Sequence, residues 1–275
     1  MLRSLGAAAL AASALPRALR AFPASRALDG VGVQLYTLRN EMRADPEGTL
    51  REIARLGYQE IEWWGDWGRS PSVLRSQLDA LSLKAPAWHV PVEALQPERI
   101  DATIATAQAM GHKHLIVAWT APAQRSAEGF GRLGALLSAA GRQASAHGIR
   151  TGYHNHDFEF ERIGEQTRWD LLLATSDPAY VDIELDCFWA FKAGHDPVQL
   201  LQRHRDRITH LHLKDSAGPP DHRQMDVGHG VIDWRRLLSV ALEGRVRNVF
   251  VEHDEPADAW ATVAAGREYL RRLGY

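Results

Sequence analysis

The sequence predicts an α/β protein that folds as one (β/α)8 barrel, the TIM barrel class, in a single domain. Three observations support this prediction. The chain has 275 residues, which leaves about the length of one such barrel once a short leader is set aside. Apolar or β-branched runs alternate with helix-length segments after residue 30, and no linker or low-complexity stretch interrupts them. A doubly wound open sheet is the alternative, because periodicity alone does not exclude it.

Eight short runs rich in apolar and β-branched residues predict the strands. In chain order they are 31–36, 60–63, 85–90, 114–119, 149–156, 181–186, 208–214 and 249–253. Between them, an N-cap residue followed by proline marks three helix starts, at Asp45-Pro46, Ser70-Pro71 and Asp196-Pro197. Such N-cap side chains accept a hydrogen bond from a free helical N–H, and proline has no N–H that needs a partner.

Residues 1–29 differ in composition from the barrel segment, residues 30–275. They combine a short basic start, an alanine- and leucine-rich run that ends at Pro16, and then small residues with arginines. The run is too short to span a bilayer, but it suits the apolar region of a secretory signal peptide. We therefore expect export to the periplasm. The alternative is a disordered leader on a cytoplasmic protein.

The bulk composition excludes some classes of partner. A formal net charge of −2, from 32 basic and 34 acidic residues, provides no strongly basic surface for nucleic acid or an anionic membrane. The lone cysteine, Cys187, excludes an intrachain disulfide and leaves the compartment undecided. The sequence does not determine the oligomeric state, a homo-oligomer included.

Four of the predicted strands carry polar side chains that share one face. They are Asp182, Glu184 and Asp186 in "VDIELD", His210, His212 and Lys214 in "ITHLHLKD", His154 and His156 in "IRTGYHNH", and Glu252 in "VFVEHD". Strands of a parallel barrel are usually apolar on both faces, so we expect these side chains to point into the barrel. Those nearest the carboxyl ends of the strands would meet where barrel enzymes build their sites.

Imidazoles and carboxylates that converge in a barrel need a cation or tight mutual pairing, because burying them alone is costly. Mixed oxygen and nitrogen ligands suit Mn²⁺, Mg²⁺, Co²⁺ or Zn²⁺ and do not choose among them. We therefore predict a divalent metal at the strand ends. The alternative is a buried cluster of polar residues that bond only to one another.

Eight stretches, in order from about Gly30 to the carboxyl terminus, resemble the xylose isomerase-like TIM barrels grouped as sugar phosphate isomerases/epimerases. They are "VGVQLYTLRNEM", "TLREIARLGYQEIEWWG", "APAWHVP", "GYHNHDFEF", "ELDCFWA", "HLHLKD", "VGHGVIDW" and "VFVEHD". In that family a glutamate, an aspartate, a histidine and a second glutamate from strands 5 to 8 hold one divalent metal. The resemblance implies that the corresponding ligands here are His154, Asp186, His212 and Glu252.

The sequence departs from the family pattern at two of the implied site positions. Many members read Glu-Asn-His where this chain reads His-Asn-His, so that His154 replaces a carboxylate. Trp189 stands where many relatives have a histidine that contacts substrate. Lys214, by contrast, matches a family lysine that contacts a substrate oxygen.

The resemblance implies a sugar isomerase or epimerase that abstracts a proton next to a carbonyl through a metal-stabilised enediolate. Family members use carboxylates on opposite faces of the substrate as two bases. With His154 in place of one carboxylate, we expect a single dominant base, and the candidates are Glu159, His156 and Glu252, in that order. A single base suits β-elimination equally well. The alternative is therefore a lyase or dehydratase on a keto-sugar, keto-inositol or 3-keto-glycoside.

Further residues at predicted strand ends or in loops are candidates for contacts with a sugar or keto-sugar, by stacking or hydrogen bonding. They are Gln34, Trp63, His89, Trp119, Trp189 and His229. A non-catalytic sugar-binding barrel is a rival interpretation. The trinuclear-zinc DNA endonucleases of the same superfamily are a poor match, because this chain is slightly acidic.

Overall fold

The computed structural model describes residues 27–65 and 67–275. Eight parallel strands close into one barrel, each paired with the next and the last with the first. They are β1 (Gly30–Gln34), β2 (Glu60–Trp64), β3 (Lys84–Val90), β4 (His114–Val117), β5 (Arg150–His154), β6 (Val181–Asp186), β7 (Ile208–Leu213) and β8 (Asn248–Val251). The prediction of a single (β/α)8 barrel is thus confirmed, and the open sheet is excluded.

Ten helices surround the barrel within the described ranges. They are α1 (Arg39–Ala44), α2 (Pro46–Arg55), α3 (Pro71–Ala80), α4 (Ile100–Met110), α5 (Ala127–Ser145), α6 (Arg168–Thr175), α7 (Cys187–Lys192), α8 (Pro197–Arg203), α9 (Trp234–Glu243) and α10 (Ala259–Leu273). The three predicted N-caps are confirmed, since the side chains of Asp45, Ser70 and Asp196 each accept a backbone N–H in the first turn. Of the predicted leader, residues 1–26 lie outside the described residues. None of the helices seen here has the length and hydropathy that crossing a membrane requires.

The alternation along β6 separates two kinds of core. Ile183 and Leu185 belong to the main apolar core, whereas Asp182, Glu184 and Asp186 are buried without belonging to it. A second, small apolar cluster consists of Ala87, Ile116 and Phe250. Gly32 makes room for this cluster, because a Cβ at that position would collide with the ring of Phe250.

Two small antiparallel ribbons lie in the loops after the strands. Arg162–Ile163 pairs with Gln166–Thr167 after β5, and Asp215–Ser216 pairs with Gln224–Met225 after β7. Both belong to loops on the carboxyl-terminal side of the barrel, where the polar strand ends also meet. The long β5 and β7 loops therefore have structure of their own at the side where a site is expected.

Candidate active site

A large cavity opens at the carboxyl-terminal ends of the barrel strands. Its volume is about 1310 Å³. Aromatic side chains provide much of its wall, namely Tyr36, Trp64, Trp119, Phe158 and Trp189. Polar groups from the strand ends also line it, namely His89, His154, His156, Lys214 and Glu252. Polar groups that converge between apolar walls are typical of a small-molecule site.

The four predicted metal ligands lie together in the structure. Asp186, His212 and Glu252 each offer a donor atom within 4.8 Å of the others. The fourth, His154, has its Nε2 3.8 Å from Oδ2 of Asp186. All four are at least nine-tenths buried. Asp186, His212 and Glu252 fit a divalent cation by their chemistry and spacing, whereas His154 has the same spacing within a second buried group, with His89, Glu184 and His212.

Lys214 is the charged partner of the carboxylates in this group. Its Nζ lies 3.1 Å from Asp186 Oδ2, 2.9 Å from Glu252 Oε2 and 2.7 Å from Asp254 Oδ1. Although burial acts against the charged form, these three carboxylates raise the pKa of Lys214 well above its ordinary value. The ammonium therefore remains charged and compensates the carboxylates.

The carboxylates of the group respond differently to burial. Burial raises the pKa of Asp186 to about 6, although Lys214 and His212 act in the opposite direction. Against burial, Lys214 and His212 hold the pKa of Glu252 well below its ordinary value. Glu252 is thus ionised at neutral pH and is engaged by two cationic partners.

Beneath the ligands lies a layer of polar side chains that sequence analysis did not assign to the site. Glu62 and Glu184 are fully buried, and the carboxylate oxygen Oε2 of each contacts His89 and His212. Oε1 of each glutamate has no hydrogen-bond partner in the described part of the chain. Glu184 was expected inside the barrel without a role. The alternation of Glu60 and Glu62 in "EIEWW" is the signal that would have indicated Glu62.

Gln34 belongs to this lower layer and does not line the cavity, which corrects the prediction that it contacts substrate. Its Oε1 accepts from the Tyr36 N–H at 3.1 Å, and its Nε2 donates to Glu62 Oε2 at 2.6 Å. The amide is therefore fixed at both ends, and Nε2 also faces His89 Nδ1 at 3.2 Å. That nitrogen of His89 must accept, so its ring proton lies on Nε2.

The protonation of His89 is subject to two opposing influences. Against burial, Glu62 and Glu184 raise the pKa of His89 to about 9. The Gln34 amide presents a donor to Nδ1 and so favours the neutral ring. Because both ends of that amide are held, we regard the neutral ring, with its proton on Nε2, as the form in this arrangement.

The three residues of the "HNH" sequence at the end of β5 lie in three different environments. His154 is turned towards the ligand group, and burial lowers its pKa well below the ordinary value, so the ring is neutral as a ligand must be. Asn155 joins two strand ends, since its Oδ1 accepts from the Asp186 N–H at 3.0 Å. His156 lines the cavity among Trp119, Phe158 and Trp189.

His156 has the features of a neutral acid–base group. Its Nδ1 lacks a hydrogen-bond partner among the residues that the structure describes. Burial, followed by the charge of Lys214, lowers the pKa of His156 to about 4. The ring is therefore unprotonated at neutral pH and can accept a proton.

Glu159, the first-ranked candidate for the base, lies outside the cavity. It is fully buried, and its carboxylate accepts from the Tyr153 hydroxyl at 2.5 Å and from the His156 N–H at 2.7 Å. Burial raises the pKa of Glu159 to about 7, although these hydrogen bonds lower it. This placement corrects the ranking: Glu159 holds the backbone that carries His156, and both of its oxygens are occupied.

The predicted substrate contacts divide into those that line the cavity and those that do not. His89, Trp119 and Trp189 line it. Trp63 does not, because it points outwards into the apolar core, and its neighbour Trp64 faces the cavity instead. His229 is exposed and also lies outside the lining.

Comparisons with known proteins agree with the fold. The model of a family described as xylose isomerase-like TIM barrel matches residues 50–273. The inosose dehydratase of Geobacillus kaustophilus is 27% identical over 188 residues, which are 60% of this chain and 60% of that protein. The match thus spans less than two thirds of that relative.

Solved structures give matches over more of the chain. A sugar phosphate isomerase/epimerase from Parabacteroides distasonis has a TM-score of 0.75 and 25% identity, with 88% of this chain and 97% of that one covered. The IolI protein, solved with a bound zinc atom, has a TM-score of 0.68 at 16% identity over 89% of this chain and 97% of that one, which shows a shared fold alone. With four fifths of its residues matched by the family model, this chain belongs to the xylose isomerase-like TIM barrel family.

Proposed function

We propose that this protein is a divalent-metal-dependent lyase or dehydratase that removes a proton next to a carbonyl in a keto-sugar, keto-inositol or 3-keto-glycoside. One observation carries this proposal. The two sides of the cavity floor present unlike groups, a carboxylate from β8 (Glu252) and imidazoles from the end of β5 (His154 and His156). Epimerisation needs a proton donor and a proton acceptor on opposite faces, and two similar groups serve that purpose best.

The protonation states of the two sides support an asymmetric reaction. Glu252 is engaged by His212 at 2.7 Å and by Lys214 at 2.9 Å, so its basicity is reduced. The pKa of His156 is lowered as well, to about 4, but its ring is neutral and Nδ1 lacks a hydrogen-bond partner within the described structure, so this nitrogen is free to accept a proton. We therefore assign the proton abstraction to His156, with Glu252 as the next candidate.

The reaction steps follow from the placement of the side chains. A bound divalent cation would polarise the substrate carbonyl and favour negative charge on its oxygen. Lys214 would donate a hydrogen bond to the same oxygen as charge develops. His156 takes the proton from the neighbouring carbon, and the electron pair of that C–H bond forms a C=C bond as the β-oxygen leaves. The imidazolium returns its proton to the departing oxygen, which leaves as water or an alcohol.

The size of the cavity favours a substrate larger than a single ring. Sites for drug-sized ligands have volumes of about 300–1,000 Å³, whereas this cavity has about 1310 Å³. Trp64, Trp119 and Trp189 provide stacking surfaces in its wall. A glycoside, with its second group against one of these rings, fits the cavity better than a bare inositol ketone.

Sugar isomerisation or epimerisation is the second candidate. The 25% identity to a structure named sugar phosphate isomerase/epimerase, over 88% of this chain, favours it. Both reactions begin with the same proton abstraction, and they differ in whether a substituent leaves. A non-catalytic sugar-binding barrel would perform neither.

The test is a substrate screen in deuterated water with metal-loaded and chelator-treated protein. The substrates are a 3-keto-glycoside, a keto-inositol and a set of ketoses. We expect an α,β-unsaturated ketone, detected by its ultraviolet absorbance, with release of water or the aglycone only in the metal-loaded sample. Deuterium incorporation at carbon without loss of mass would instead establish the isomerase or epimerase, and no reaction with any substrate would favour the binding protein.

We further propose that residues 1–29 direct export, on the basis of their composition alone. Cell fractionation of the native host should find a shortened chain outside the cytoplasm. Full-length protein found only in the cytosol would contradict this proposal.

A further inference from the structure

We propose that Glu184 is a positioning residue that, together with Glu62, fixes the tautomers of the two histidine ligands, so that His154 binds metal through Nε2 and His212 through Nδ1. This inference rests on the metal site of the proposed function. It concerns a residue that neither the family resemblance nor the chemistry of the cavity assigns. Its basis is the contact of one carboxylate oxygen with nitrogens of two different ligand rings.

Ring nitrogens of three histidines lie close to one carboxylate oxygen of Glu184. Its Oε2 lies 3.0 Å from His154 Nδ1, 3.1 Å from His212 Nε2 and 2.7 Å from His89 Nε2. A carboxylate can only accept, so a ring nitrogen that bonds to it must carry the proton. For His154 this places the proton on Nδ1 and leaves the Nε2 lone pair free, 3.8 Å from Asp186 Oδ2.

His212 is held in the opposite sense. Its Nε2 faces Glu184 and also Glu62 Oε2, which is only 2.6 Å away, so this nitrogen carries a proton. Its Nδ1 faces Glu252 Oε2 at 2.7 Å, on the side of the ligand group. In this contact Nδ1 of His212 also carries a proton, and a bound cation would replace that proton. Glu184 at His154, and Glu62 with Glu184 at His212, thus turn different nitrogens of the two rings towards the same group of ligands.

The lower layer keeps Glu184 in place. His89 carries its proton on Nε2, because the doubly held Gln34 amide donates to Nδ1. That proton points at Glu184 Oε2 and Glu62 Oε2, at 2.7 and 3.0 Å. Carboxylates that hydrogen-bond to the far nitrogen of a histidine ligand are known to orient the ring and strengthen it as a ligand.

The replacement at residue 154 explains why such a residue is needed. A carboxylate offers equivalent oxygens and has no tautomer to fix, whereas an imidazole binds metal through one nitrogen only when the proton is on the other. Glu184 lies two residues before Asp186 on the same face of β6. The strand that provides a ligand therefore also provides the group that orients the His154 imidazole.

The test combines zinc titration with nitrogen-15 NMR of the histidine rings in the full-length protein. Glu184→Gln should weaken Zn²⁺ binding by about 10–100-fold, the usual effect of losing such a partner. Glu60→Gln is the matched control, because Glu60 is equally buried but bonds to Asn248 at 2.7 Å, away from the ligand group. We expect Zn²⁺ affinity within about twofold of wild type for this control.

The NMR measurement uses the wild-type protein and so does not depend on how well a variant folds. With Zn²⁺ bound, we expect His154 to show a protonated Nδ1 and a metal-bound Nε2, and His212 the reverse. The same tautomer in both rings would overturn the proposal, as would unchanged affinity in a folded Glu184→Gln variant. Two zinc ions per chain would also overturn it, because Glu184 would then be a ligand of a second ion. If the wild-type protein binds no divalent metal, the proposed metal enzyme is wrong as well.

Discussion

The two ends of strand β6 bury carboxylates on the same face but compensate them in different ways. At the amino-terminal end, Asp182 contacts Arg150 at 2.5 and 3.0 Å and Arg245 at 3.0 Å. Against burial, His114 and Arg150 hold the pKa of Asp182 below its ordinary value. At the carboxyl-terminal end, Asp186 lies 3.1 Å from the ammonium of Lys214, and burial raises its pKa to about 6 although Lys214 and His212 act in the opposite direction.

This difference separates a structural ion pair from a site prepared for a ligand. The arginines around Asp182 more than balance its negative charge, so this carboxylate needs no bound cation. Around Asp186, the carboxylates of Glu252 and Asp254 also contact the ammonium of Lys214. The remaining side chains of this group are imidazoles. Buried carboxylates that outnumber the cationic side chains beside them can be stabilised by a divalent cation.

The first prediction compares alanine variants of the two aspartates, Asp182 and Asp186. Asp186→Ala should abolish stoichiometric binding of divalent metal, because it removes a ligand. Asp182→Ala should leave metal binding intact but lower the free energy of unfolding by about 2–3 kcal/mol, less than for a fully buried pair because its arginines reach solvent. Elemental analysis and urea denaturation of both variants provide the measurement. Equal metal content in the two variants would remove the contrast.

The second prediction compares His156 with Glu159. His156→Asn should reduce kcat by about 10²–10⁴, the usual cost of losing a general base, with metal content unchanged. Glu159→Gln should reduce kcat far less, since that carboxylate does not reach the cavity. Steady-state kinetics on the substrate found by screening decides between them. A large loss in Glu159→Gln alone would restore the assignment made from the sequence.

Glu159 should instead affect how the free energy of unfolding depends on pH. Burial raises its pKa in the folded protein to about 7, above the unfolded value of about 4.3. The folded state therefore binds the proton more tightly, and its advantage, complete below the unfolded pKa, is lost as pH rises towards 7 and above. Relative to Glu159→Gln, wild type should lose about 3 kcal/mol of stability between pH 4 and 8.

Urea denaturation of both proteins across this pH range measures that difference, because the contributions of all other groups cancel. A constant difference in the free energy of unfolding between wild type and variant would show that Glu159 does not bind a proton in this range.

The smallest expected effect concerns Lys214. Lys214→Met should slow turnover by about tenfold or more, since it removes a donor to the developing oxyanion. The same change should tighten metal binding, because the carboxylates of Asp186 and Glu252 lose their resident cation. Kinetics and zinc titration should therefore move in opposite directions. Weaker zinc binding would show that Lys214 supports the metal site.

Much of the fold, and the convergence of the candidate metal ligands, was predictable because both follow from alternation along parallel strands. The period of two fixes which side chains of β5, β6 and β7 face inwards, and the parallel topology brings their ends together. The same rule, applied to Glu60 and Glu62, would have placed Trp64 and not Trp63 in the cavity. Here the signal was present in the sequence.

The loop residues were not predictable in this way. Glu159 lies in a single helical turn, Phe158–Phe160, that bends its carboxylate back to the backbone of His156. His229 lies in the long segment after β7, whose path depends on the ribbon Asp215–Ser216 with Gln224–Met225. Such conformations arise from local hydrogen bonds that have no periodic trace in the sequence.

Crystals of the protein grown with Zn²⁺ and measured at the zinc absorption edge would show whether the carboxyl-terminal end of β6 holds a divalent cation. We expect one anomalous peak per chain, about 2.0–2.2 Å from ligand atoms of His154, Asp186, His212 and Glu252. A peak among Glu62, His89 and Glu184, or no peak in a crystal whose protein is otherwise folded as described, would contradict it.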